Sequence, residues 1–70
     1  MKSRLEQQKK QIEEKMGSQL FEKVFKILMM HKKRDSEGSK IAEDLRPVTK
    51  QSRELKDLCF ALEQIVFMME

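Results

Sequence analysis

Seventy residues make one small domain, near the size at which a single core is only marginally stabilising and a partner often supplies the missing burial, and they exclude a large substrate pocket. Charged and apolar residues each make up 39% of the chain, with two glycines and one proline, a balance that suits packed helices and argues against sheets. The net charge of +3 comes from 15 basic and 12 acidic residues interspersed along almost the whole length, so it does not by itself indicate nucleic acid. The expected fold is all-α: a helical hairpin or a bundle of three to four helices, opening on a coiled-coil-like N-terminal helix.

Residues 1–16 read as a polar lead-in helix whose apolar positions are Leu5, Ile12 and Met16. Leu5 and Ile12 are seven apart and mark one seam position of a heptad, but Gln8 or Lys9 stands where the second seam residue belongs. Charges at helical spacing, such as Glu6 with Lys10, support a solvated helix. The charged start MKSRLEQQKK has no apolar core, and no apolar run approaches the ~20 residues of a spanning helix, which excludes a signal peptide and a membrane span from the reading. A coiled-coil-like sequence directly after Met1 leads us to expect a segment of a longer, cytoplasmic protein.

Residues 17–70 read as a helical domain with helices over about 18–33, 40–46 and 50–69. Gly17 interrupts the pattern, and Ser18 is the expected cap of the first of these helices. Leu20, Phe21, Val24, Phe25, Ile27 and Leu28 then recur at spacings of three and four, a broad apolar stripe that needs another helix to cover it. His31, Lys32, Lys33 and Arg34 follow where the negative end of the helix dipole favours cations. The polar stretch RDSEGS reads as a turn built on Gly38, with Ser39 capping a short helix that carries Ile41 and Leu45. Pro47 is expected to end that helix at Arg46, leaving it a lid of about two turns.

Thr49 and Ser52 are alternative caps for the last helix. Its seam of Leu55, Leu58, Leu62, Ile65 and Met69, widened by Cys59 and Val66, complements the first stripe, so the two helices are expected to pack antiparallel. The expected core is Leu20, Phe21, Val24, Phe25 and Leu28 against Leu58, Leu62 and Ile65. Phe60 and Phe67 are seven apart on a flank of that seam, with Met68 beside Phe67, and a domain this small has no third layer to cover them. These three residues are the candidate partner-binding surface.

Reaction chemistry has little to stand on. His31 and Cys59 are the only residues of their types, 28 positions apart, so there is no metal quartet, no CxxC pair and no case for a Cys-His nucleophile. Cys59, alone in an apolar run, reads as a buried small side chain in a reducing compartment. The carboxylates Glu13, Glu14, Glu43, Asp44, Glu54 and Asp57 fall in charged segments where a solvated face is the default. No phosphate-binding glycine loop is present. The expectation is a non-enzyme with no catalytic residues, no metal and no cofactor.

The string LEQQKKQIEEKMGSQLFEKVFKIL, followed by a polar linker and a closing helix LCFALEQIVFMME, resembles the extreme C-terminal region of the NIMA-related Ser/Thr kinases. That region runs from a coiled-coil-like helix through Met-Gly to a helix with aromatics at turn spacing, then a charged linker and a final helix. Met16, Gly17, Phe21, Val24, Phe25 and the run from Leu58 to Phe67 hold the corresponding places. Phe25 stands where the family usually has Tyr, and the linker is mixed in charge where relatives are often acidic.

The resemblance implies a non-catalytic docking module of a kinase whose catalytic domain lies elsewhere. In ciliary members it also implies a leucine-rich-repeat cilia- and flagella-associated protein as partner, met through a helical groove, and a place at the cilium, flagellum or basal body. Three other readings stand beside it. A homo-oligomeric coiled coil would absorb the same surplus apolar surface through self-association. FEKVFKILMMHKKR, with one acidic and five basic residues, fits a calmodulin-type target helix. A helix-turn-helix nucleic-acid binder is the weakest, since both strong helices are largely apolar where base-reading side chains belong, and no nucleic acid or membrane partner is expected.

Overall fold

Four helices account for almost all of residues 4–69, the part of the chain that the computed structural model describes: α1 over Arg4–Met16, α2 over Ser18–Arg34, α3 over Gly38–Thr49 and α4 over Arg53–Met68. No strand occurs among the described residues. The architecture is an all-α four-helix bundle.

Between α1 and α2 the joint is a single residue. Gly17 takes φ 91°, a conformation that side-chain-bearing residues rarely adopt, and so ends one helix while starting the next. Its N–H donates to the Glu13 carbonyl at 2.9 Å, and its own carbonyl accepts from Phe21 N–H at 2.9 Å. Ser18 is therefore the first helical residue and not the cap, and no side chain caps α2.

The turn between α2 and α3 uses a different residue from the expected one. Asp35, not Gly38, occupies the left-handed region, at φ 54° and ψ 46°. Asp35 N–H donates to the Lys32 carbonyl and Ser36 N–H to the His31 carbonyl, the pair of backward bonds that closes a helix end. Asp tolerates this conformation better than most residues, so Gly38 is left free to begin α3 behind Glu37, and Ser39 caps nothing. At the last helix Ser52 is the cap: its hydroxyl accepts from Leu55 N–H at 3.1 Å.

α3 runs past Pro47 to Thr49, longer than the two-turn lid expected from the sequence. A proline inside a helix costs about 3 kcal/mol through its lost N–H and its ring clash. Full burial of Val48 offsets roughly 1.5–3 kcal/mol of that. Hydrogen bonds from Lys50 N–H to the Arg46 carbonyl and from the Gln51 side-chain amide to the Pro47 carbonyl tie down the remaining carbonyls. Ile41, Leu45 and Val48 are all buried, so α3 is a wall of the core.

That wall also decides the direction of α4. Two reversals bring α4 back to the sense of α2, and the Lys32 ammonium at the end of α2 donates to the Met69 carbonyl at the end of α4. The two C-terminal ends lie together, contrary to the expected antiparallel pairing. With α3 counted as a full helix, an up-down-up path follows.

Of the expected core, Phe21, Val24, Leu28, Leu62 and Ile65 are buried, while Leu20, Phe25 and Leu58 are half-buried and pack against its edge. Ile12, Ile41, Leu45, Val48, Cys59 and Val66 complete it. Ile12 belongs to the same cluster, so α1 is part of the bundle and the division at residue 16 does not separate two units. Leu5, Ile12 and Met16 fall within one narrow stripe of α1, and that stripe suffices because both α2 and α4 lie beneath it.

Candidate functional site

α4 turns seven apolar residues inward or to the core's edge, namely Leu55, Leu58, Cys59, Leu62, Ile65, Val66 and, just past its end, Met69. Successive residues advance about 100° around a helix, which leaves Phe60, Phe67 and Met68 on the opposite side. They are 53%, 43% and 68% exposed. Phe67 follows Phe60 two turns further along one row of the helix.

The three side chains do not converge on one pocket. Phe60 lines a concavity of about 300 Å³ between α3 and α4, with Leu45, Thr49, Lys56 and Glu63 around it. Met68 lines a cleft of about 480 Å³ between α1 and α4, walled by Gln8, Gln11, Ile12 and Lys15 on one side and Ala61, Gln64 and Ile65 on the other. The outer face of α4 is a ridge with a shallow groove on each flank, and its apolar residues are shared between ridge and grooves.

Lys56 and Glu63 flank the aromatic row on its α3 side, seven apart like Phe60 and Phe67, and that shared period was the available signal for them in the sequence. Met30, on α2, is also half exposed at 50%, a position that its apolar neighbours Ile27 to Met29 mask in any sequence pattern.

Cys59 and His31 are both built into the packing. Cys59 is buried; burial pushes its thiol up, and the Glu63 carboxylate adds in the same direction, the reverse of what activates a cysteine nucleophile. His31 lies at the end of α2 as a buried, hydrogen-bonded side chain and not as a solvent-facing cation. It is 6% exposed, and its Nε2 donates to Asp44 Oδ2 at 2.6 Å, joining α2 to α3, while Nδ1 has no hydrogen-bond partner. Among the described residues no group of three or more His, Cys, Asp or Glu could hold a metal ion, and no helix is long and apolar enough to cross a membrane.

No family model, curated protein or solved structure matches the chain.

Proposed function

We propose that the chain is a non-catalytic protein-interaction module that docks a NIMA-related kinase onto a cilium- or flagellum-associated partner through the outer side of α4. The observation that carries this reading is the exposure of Phe60, Phe67 and Met68 above a core that is already closed. Exposed aromatic and methionine side chains grouped on one element are the usual anchors of an interface. The ridge that carries Phe60 and Phe67, with the concavity between α3 and α4 that Phe60 lines, suits a helix from the partner. The kinase family and the leucine-rich-repeat partner come from the sequence resemblance.

A calmodulin-type role for α2 has less support, because it would take Phe21, Val24 and Leu28 out of the core. The proposal is tested by titrating the 70-residue chain into the purified leucine-rich-repeat cilia- and flagella-associated protein and measuring heat of binding. Binding should persist in moderate salt, since its anchors are apolar. The Phe60→Ser/Phe67→Ser double variant should keep its helical circular dichroism and lose affinity by about thirtyfold or more. Unchanged affinity in the folded double variant, or a tight and steeply salt-dependent complex with an oligonucleotide, would overturn it.

A further inference from the structure

We infer that the aromatic row of α4 also pairs with the same row of a second copy of this chain, antiparallel, about a two-fold axis at Phe60. This rests on the reading of the outer face of α4 as an interaction surface and names one occupant for it.

Complementarity is the ground for choosing a second copy. Arg53, Phe60 and Phe67 lie along one line of α4, Lys56 and Glu63 on one flank of that line, and Asp57 and Gln64 on the other. Arg53, Lys56, Asp57, Gln64 and both aromatics are exposed, and Glu63 is half-buried.

An antiparallel pair centred on Phe60 sets each residue of the central line against one equally far from Phe60 in the other direction, and each flank residue within one residue's rise of its counterpart on the same flank. Phe60 meets the second copy's Phe60, and Arg53 lies over the second copy's Phe67, a cation on an aromatic face. In such a pair each flank faces its own copy, so Lys56 meets Glu63 and Asp57 meets Gln64. The Phe60 contact lies on the axis and occurs once, the others each occur twice, and all of them join complementary groups. A parallel pair would instead set Arg53 against Arg53 on the central line, which like-charge repulsion disfavours.

One helix pair buries at most about the 1,200 Å² that marks the lower end of stable interfaces, so the association is weak and reversible. A weak pair can yield its aromatic row to a tighter partner.

Sedimentation equilibrium of the 70-residue chain tests the pairing over a range of roughly 10 μM to 1 mM, the span in which so small an interface equilibrates. The apparent mass should climb from 8.4 kDa toward twice that value and stop there. Phe60→Ser should weaken the association about tenfold or more.

Lys56→Glu and Glu63→Lys should each weaken it, because one chain then carries two acidic flank residues and the other two basic ones. Mixed in equal amounts, these two variants should associate more tightly than either does alone. A mass that stays at 8.4 kDa, one that passes the dimer, a Phe60→Ser variant that dimerises like the parent, or a mixture no tighter than its components would each overturn the inference. A strictly monomeric chain that still binds the leucine-rich-repeat protein would sink the pairing alone, whereas a dimer with no such binding would sink the docking and leave the pairing.

Discussion

Phe21 and Phe25 on α2 and Phe60 and Phe67 on α4 are the four aromatic residues of the chain, and they meet opposite environments. Phe21 is buried. Phe25 stacks on it with ring centroids 5.7 Å apart and planes 16° from parallel, and the Lys9 ammonium sits 4.9 Å above the Phe25 ring. Phe60 and Phe67 are about half exposed, with the core closed beneath them. Both pairs keep helical spacing, four residues in one case and seven in the other, so periodicity does not separate them. The difference lies in what passes overhead: α1 folds across α2 and brings Lys9 with it. An apolar side chain in so small a domain is core or surface according to the path of a neighbouring helix.

The sharpest way to break this contrast is to truncate the buried member. Phe21→Ala should destabilise by about 3–5 kcal/mol, a large part of what a 70-residue domain has, and chemical denaturation should show the chain largely unfolded. Leu45→Ala asks whether α3 is a wall or a lid. A wall predicts a loss of roughly 2–5 kcal/mol in the same denaturation experiment, and a loss below about 1 kcal/mol would return α3 to the status of a lid.

Phe25→Ala sharpens the comparison from the middle. Half-buried, with one stacked ring and one cation over it, Phe25 should contribute about 1–3 kcal/mol, less than Phe21 and more than either exposed aromatic. The smallest effect belongs to Phe60→Ser with Phe67→Ser, which should change the unfolding free energy by no more than about 0.5 kcal/mol. Unfolding of that double variant would mean that the outer row is core after all.

The sequence carried the helices but not all of their neighbours. Gly17 and the apolar stripe of α2 were legible because each rests on local chemistry, backbone freedom and a period of three and four, and Ser52 was legible as one of two candidate caps beside Thr49. Features that depend on tertiary contacts were not, the direction of α4 among them. Asp35 holds the left-handed turn position that Gly38 seemed to claim, since two residues in a short polar stretch could each serve and only the bonds back to His31 and Lys32 select one. Pro47 looked like a stop, because the reward for passing it is the burial of Val48, a tertiary contact. His31 looked like one of four cations at a helix end, and only the approach of Asp44 from α3 draws it inward. Phe60, Phe67 and Met68 were marked as one surface. α4 presents them on one side, but the grooves beneath Phe60 and Met68 are separated by the width of the helix.

Gly17 makes α1 and α2 behave like two shafts joined without slack. A longer loop would leave the phase of α1 open; a one-residue joint with a hydrogen bond into each helix sets it. Adding a single residue there would turn α1 by about 100° about its axis and carry Ile12 away from the core. The angular phase of the first helix, and with it the face that Ile12 presents to the core, is therefore set by the length of a single joint residue.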